Sequence, residues 1–419
     1  MNARPFAIAL LTALSAGACD RRRGALDPIG ARVESATPRI EKATGLTFKT
    51  PPKYEMRSRE EIRDFLLRKF EEETPAEDLR AQEAAFKAFG LIPDTLNLRS
   101  FLVDLLTEQI LGYYDPATKV LYVVRDAPAD LTGITVAHEL VHALQDQYLN
   151  LDSIQKSKGD SDRLSAAQAV LEGQATWAQM QVMLNGADLA TRIPGGWDQI
   201  RQQIREGQSS MPKFANAPMA IQESLIFPYL SGAEFVRRYE SRRDTRSPLA
   251  TLPVSTEQIL SEEAFFGAKP DLPMRVTLPG RLAAGDYEEI MGEFGTRLFL
   301  YQHAKDNRAA VDGAHGWGGD RYRIVNTPKG RAVVWATAWD SAMDAAQFVD
   351  ALGQALVRRY RTGGASMSSS GVRTYVGRGR IVVVTPREVS GNNIVLMVDV
   401  PAGASTALID PARIRIGRE

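Results

Sequence analysis

Residues 138–142 read His-Glu-Leu-Val-His, and no other stretch of this 419-residue chain constrains the fold as tightly. Two of the chain's four histidines lie in it. On a helix, residues four apart share a face, so His138 and His142 can present imidazole nitrogens to a single ion. Glu139 then sits beside that ion without being aimed straight at it. Zinc takes nitrogen ligands readily and brings the pKa of a water it holds towards neutrality. A neighbouring glutamate can take that water's proton and activate it for attack on a carbonyl. The pentapeptide therefore specifies a helix, a binding site and a reaction class together.

The flanking residues support the helix. Asp130 or Thr132 is expected to cap its start. Ala137, Val141, Leu144 and Tyr148 recur at i, i+4, i+7 and i+11, with Leu140 beside them, which gives one apolar face with the histidines on the neighbouring stripe. The ordinary alternative is a pair of surface histidines on an amphipathic helix. With so few histidines in the chain, that spacing rarely arises by chance.

Two histidines and a water do not complete a tetrahedral site, so a third protein ligand is required. Met-type zincins would continue with Gly at 145 and His at 148. Gln145 and Tyr148 stand there instead, which excludes that class. A glutamate on a following helix is the other common solution. Residues 164–183, rich in Ala, Leu, Gln and Met, read as such a helix. Within it, Leu171-Glu172-Gly173-Gln174-Ala175-Thr176 places one acid among small and apolar residues. Gly173 has no side chain, so another helix can approach there. Glu172 is the candidate third ligand, and His303, His315, Asp146 and Glu223 are its competitors.

The run HELVHALQDQ (138–147), followed by LEGQA (171–175), resembles a group of bacterial gluzincin-type zinc metallopeptidases. The stretches beginning at Gly112, Pro228, Ser255 and Gly316 look like the same poorly characterised group, and the resemblance spans roughly residues 80–325. It implies a zincin fold, peptide-bond hydrolysis, and zinc held by His138, His142 and Glu172, with Glu139 as general base and acid. Two departures stand out. The spacer to Glu172 is longer than in thermolysin-like enzymes, with 157–161 reading as a loop insertion. Four residues after the third ligand, where those enzymes carry an aspartate that holds a motif histidine, this chain has Thr176. Asp146, one turn after His142, is the substitute candidate for that role.

Negative charge developing on the carbonyl oxygen calls for a tyrosine, histidine or arginine. Tyr229 at the start of a helix 230–239, His315 before the glycine-rich turn 315–319, and Arg321 are the candidates. Their plain alternatives are a packed tyrosine, a loop histidine and an arginine paired with Asp320. His303 reads as structural. The strand 119–125, or one paired with it, is positioned to hold an extended peptide by strand addition, by analogy with zincins.

The N-terminus reads as a targeting segment. Arg4 precedes a short apolar run, Phe6 to Leu14, and Ala16-Gly17-Ala18 lead to Cys19, the only cysteine. Cleavage after Ala18 would leave Cys19 as a bacterial lipoprotein acceptor, with plain secretion as the alternative. Acyl chains contribute about 0.8 kcal/mol per buried CH₂, and Arg21-Arg22-Arg23 would add attraction to anionic headgroups. Asp20 resembles an inner-membrane retention signal, which favours a periplasm-facing anchor in the cell envelope. Lys plus Arg equal Asp plus Glu at 51 each, with no basic stripe, so nucleic acid is not an expected partner.

The expected class is α+β. Residues 1–18 read as a signal peptide and 19–55 as a lipid-anchored tether. Residues 56–316 read as a zincin-like domain, mostly helical with a small sheet, and 317–419 as a small helix-on-sheet domain. Helices are expected at 59–70 behind a Ser58–Glu61 capping box, at 78–89, at 98–111 and from Asp286 towards Asp306. The 186–220 stretch, with its Pro, Gly and Gln, reads as a long excursion. Strands are expected at 321–327, 331–338, 373–386 and 393–400, around a helix to Arg359 capped by Asp340 or Ser341 and a connector at 363–371. The function read from these residues is zinc-dependent hydrolysis of a peptide or protein. The rival is an envelope lipoprotein that keeps zinc without catalysis, against which the intact Glu139 speaks.

Overall fold

The computed structural model describes residues 28–418 except 74, 126, 156–159, 184–205, 207–210 and 243–246. The targeting segment with Cys19, most of the 186–220 excursion and most of the 157–161 insertion lie outside the described residues. Among those described, fourteen α-helices and three sheets make an α+β fold. No helix among them is long and apolar enough to cross a membrane.

The first half opens with α1 (Pro28–Thr44), β1 (Lys53–Arg57), α2 (Arg59–Glu73), α3 (Ala76–Phe89) and α4 (Leu98–Gln109). The residues read as tether are therefore partly built into the fold. Ile29, Val33, Ala36 and Ile40 follow a helical period and bury against the motif helix. The Ser58–Glu61 box forms: the Glu61 amide donates to Ser58 Oγ (3.2 Å), and the Ser58 amide donates to Glu61 Oε2 (2.7 Å).

Next come β2 (Gly112–Asp115), β3 (Val120–Val124), α5 (Ala129–Gln145), α6 (Leu151–Gln155) and α7 (Ser161–Met183). β3 is the middle of a three-stranded sheet, parallel to β1 and antiparallel to β2, which leaves β2 at an edge. Every residue of β3 is buried because both its faces are covered. Leu121 and Val123 meet α5 and α1, while Val120, Tyr122 and Val124 meet Ile62, Phe65 and Leu66 of α2.

α7 is buried on nearly every side, and its strongest partner is α9 (Met219–Ser241), which follows a one-turn α8 (Pro212–Ala215). The two helices meet at Gly173 and Gly232. A Cβ on Gly173 would overlap the Gly232 carbonyl, and one on Gly232 would overlap the Ala169 carbonyl. α9 starts well before the helix expected at 230–239, and Pro228 lies inside it. Packing against α7 outweighs the backbone hydrogen bond that Pro228 forgoes.

The chain continues through α10 (Thr256–Leu260), α11 (Glu262–Phe266), β4 (Met274–Thr277), β5 (Tyr287–Glu289), α12 (Gly292–Ala304) and α13 (Asn307–Ala314). It ends with β6 (Trp317–Thr327), β7 (Gly330–Trp339), α14 (Ala342–Tyr360), β8 (Ser366–Met367), β9 (Arg373–Gly377), β10 (Arg380–Val389), β11 (Asn392–Pro401) and β12 (Arg415–Arg418). An antiparallel sheet runs β5-β6-β7-β11-β10-β9-β8, and β12 pairs with β4. β7 shows the period of two: Val333, Trp335 and Trp339 pack on α12–α14, while Ala332, Val334, Ala336 and Ala338 pack on the β4–β12 side. Ser341 caps α14, its Oγ accepting from the Asp344 amide at 3.2 Å.

Three further details differ from expectation. The sheet begins at β5, upstream of the boundary placed at 317. The helix expected from Asp286 starts at Gly292 because 287–289 join that sheet. The stretch 373–386 is two strands, folded at a turn where Arg378 (φ 45°) and Gly379 (φ 70°) both take left-handed backbone.

Candidate metal centre

α5 begins behind Pro128, not behind a side-chain cap. Thr132 lies in the first turn and donates its hydroxyl to the Pro128 carbonyl at 2.9 Å. Ala137, Leu140, Val141 and Leu144 face the sheet and α1, whereas Tyr148 lies beyond the helix and is exposed. That orientation turns His138 and His142 towards α7, which carries Glu172.

Three ligand atoms converge there. His138 Nε2 is 3.1 Å from Glu172 Oε2, His142 Nε2 is 3.4 Å from the same oxygen, and the two Nε2 atoms are 3.2 Å apart. A tetrahedral zinc with bonds of about 2.0–2.1 Å has ligand atoms about 3.3–3.4 Å apart. The three separations match the edges of that tetrahedron.

The surrounding glutamines set the tautomers. Gln145 Nε2 donates to the Leu171 carbonyl (2.9 Å) and to Gln174 Oε1 (3.0 Å). Its oxygen must therefore face His142 Nδ1, 2.9 Å away, and accept from an N–H. Gln179 Oε1 stands in the same relation to His138 Nδ1 at 3.1 Å. With both Nδ1 atoms protonated, each Nε2 offers a lone pair, and both lone pairs point at each other and at a carboxylate oxygen. Such a convergence is repulsive unless a cation or a proton lies within it. Burial opposes charge on His142, but Glu172 overrides it and lifts its pKa to about 9. Burial likewise opposes charge on Glu172, and His142 draws its pKa down to about 2.

Glu139 is buried beside this group. Its Oε2 accepts the Tyr114 amide of β2 at 2.8 Å, and its Oε1 has no hydrogen-bond partner. Burial raises its pKa, more than the two histidines and the Tyr114 N–H lower it. The arrangement pairs a nitrogen-and-oxygen group that could hold a metal with a carboxylate oxygen that has no hydrogen-bond partner.

The remaining candidates divide. Tyr229, buried on α9, lies nearly parallel to the His138 ring with centroids 6.0 Å apart. The Asp146 amide donates to the His142 carbonyl at 3.0 Å, but its side chain holds neither motif histidine. Its carboxylate accepts from Tyr114 Oη (2.7 Å) and Lys119 Nζ (2.6 Å), because position 146 turns it towards β2 instead of α7. Thr176 is buried, but its hydroxyl has no hydrogen-bond partner and holds no histidine. His315 and Arg321 belong to the sheet half. His315 is exposed near Asp344, and Arg321 lies 4.0 Å from Glu288. Asp320 pairs instead with the indoles of Trp317 and Trp335 and with the amides of Met291 and Gly292. His303 Nε2 donates to the Phe89 carbonyl at 2.8 Å, and Glu223 is not among the converging groups. Gln145, Gln179 and Tyr114 were not read as site residues. The signal available was position: Gln145 is three residues after His142, and Gln179 is seven after Glu172 on one helical face.

A family model described as a domain of unknown function (DUF8575) matches residues 280–407, the sheet half of the molecule. Neither a curated protein nor a solved structure matches the chain.

Proposed function

We propose that this chain is a zinc-dependent peptidase with a zincin-like core, acting in the bacterial cell envelope from a lipid anchor on Cys19. The observation that carries the reading is the convergence of His138 Nε2, His142 Nε2 and Glu172 Oε2 at 3.1–3.4 Å, with the Glu139 carboxylate alongside. Zinc bound there would supply Lewis acidity towards a carbonyl oxygen and towards water. The chain's own groups do the rest. Gln145 and Gln179 hold both imidazoles with Nε2 turned inward. Tyr114 N–H holds one oxygen of Glu139, which leaves Oε1 to take a proton from the attacking water and return it to the departing amine. Tyr229, stacked on His138, is the candidate donor to the oxyanion. The outer edge of β2, next to Glu139, offers backbone groups to an extended peptide. The lipid anchor rests on the sequence pattern around Cys19 alone.

Glu139→Gln tests the proposal. The amide keeps the shape and removes the base. Cleavage of a peptide library is expected to fall by about 10² or more while zinc content stays at the parent level. A variant that cleaves as well as the parent removes Glu139 from the chemistry and the proposal with it.

A further inference from the structure

A second group of ligating side chains lies where the helical half meets the sheet half. Glu257 comes from α10, Asp271 from the loop after α11, and Asp340 from the end of β7. One carboxylate oxygen of each lies within 4.8 Å of the other two. Glu257 is only 4% exposed, lines the same cleft, and its Oε2 has no hydrogen-bond partner. Glu293 of α12 also lines this cleft; its Oε1 is held by Arg297, and its Oε2 has no partner. Among the described residues, no lysine or arginine lies within 4 Å of the carboxylates of Glu257, Asp271 or Asp340, although Lys269 and His315 line the cleft. Glu257 is buried, Asp271 half-buried and Asp340 exposed, and a buried carboxylate facing other carboxylates without a cation is costly. Burial, then Glu293 and Asp340, raise the Glu257 pKa well above the ordinary range, and burial with Asp271 lifts Asp340 to about 7.

The surrounding chain is built to hold this convergence. Gln258 Nε2 donates to the Asp271 carbonyl at 2.6 Å, and the Asp340 amide donates to the Gly316 carbonyl at 3.0 Å. A Cβ on Gly318 would lie 2.8 Å from Asp340 Oδ1, so the glycine leaves room for that carboxylate. These contacts draw on residues of two sequence stretches that the candidate metal centre does not use, 255–260 and 316–322.

We propose that Glu257, Asp271 and Asp340 form a calcium site that ties the helical half to the sheet half. The donors are all hard oxygens from three separate segments. Calcium accepts such irregular oxygen shells, with water completing them, at 2.3–2.6 Å, whereas magnesium demands a near-ideal octahedron. At bonds of about 2.4 Å, two donors on one calcium lie at most about 4.8 Å apart, and these oxygens fall within that limit.

The test is a calorimetric calcium titration of the full chain after dialysis against calcium-free buffer, with melting temperature read in parallel. One equivalent is expected to bind with half-saturation below about 1 mM and to raise the melting temperature. Glu257→Gln and Asp271→Asn are each expected to weaken binding at least tenfold. His142→Ala, which lies outside this cleft, is expected to bind calcium as the parent does. Without calcium, Glu257→Gln is expected to melt no lower than the parent, because it removes a buried carboxyl crowded by Glu293 and Asp340. No binding up to 10-fold above that concentration would overturn the site. So would binding unchanged in both carboxylate variants, or magnesium matching calcium.

Discussion

At the scale of single residues, the proposed metal centre depends on uncharged side chains as much as on its proposed ligands. Gln145 is fixed by the Leu171 carbonyl and Gln174, and through its oxygen it decides which nitrogen of His142 faces inward. Removing such an orienting partner costs about 10- to 100-fold in metal affinity. Gln145→Ala is therefore expected to weaken zinc by that factor, read by competition with a chromophoric chelator, with little change in melting temperature of the metal-free chain. Unchanged affinity would mean that His142 is oriented by packing alone. His138, Glu139, His142 and Glu172 were legible because spacing and chemistry coincide in them. Gln145 and Gln179 were not, since an amide carries no charge and its role appears only when two helices are placed side by side. Asp146 was misplaced for a related reason. One residue further along a helix is a rotation of about 100°, enough to aim its carboxylate at Tyr114 and Lys119.

At the scale of elements, Glu172 is delivered by the contact between α7 and α9. Gly173 and Gly232 let the backbones meet, and Glu172 is the residue immediately before Gly173. Gly173→Ala puts a methyl into the Gly232 backbone, and overpacking of this kind costs about 1–3 kcal/mol. The variant is expected to lose stability by that amount in urea denaturation and to bind metal more weakly, because α7 must shift to relieve the overlap. Loss of stability with metal affinity intact would show that the crossing does not position Glu172. Gly173 was readable as a point of close approach, but its partner was not, because nothing local in 228–232 marks which helix it meets. α1 was missed although its period is present in Ile29, Val33, Ala36 and Ile40. Its mixed composition and internal Pro38 resemble a linker until the apolar face finds α5. β5 was hidden likewise, because a short strand gains its order from a neighbour distant in sequence, here β6, whereas β9 was read as part of one strand with β10 and only the turn between them was missed.

At the scale of the whole molecule, the helical and sheet halves are joined around the end of α3. Gly90 (φ 68°) ends that helix, His303 of α12 donates to the Phe89 carbonyl, and Arg359 of α14 donates to the Ala88 carbonyl. Burial, then the Arg359 charge, depresses the His303 pKa to about 3. The unfolded chain takes up this proton near the ordinary value of 6.5, so between about pH 6.5 and 3 it binds more protons than the folded chain. Stability from this group is therefore full above about pH 6.5 and falls as pH is lowered through that window. His303→Gln, which keeps a donor without titrating, is expected to give a shallower decline in urea midpoint from pH 7 to pH 4. Equal slopes would show that His303 is not the group protonated on unfolding. The central claim is the His-His-Glu centre itself, and zinc content per purified chain, compared with Glu172→Ala, tests it most directly. One zinc per chain, lost or strongly weakened in the variant, is the predicted result. One zinc held equally by both proteins, or none in the parent after loading, would contradict it.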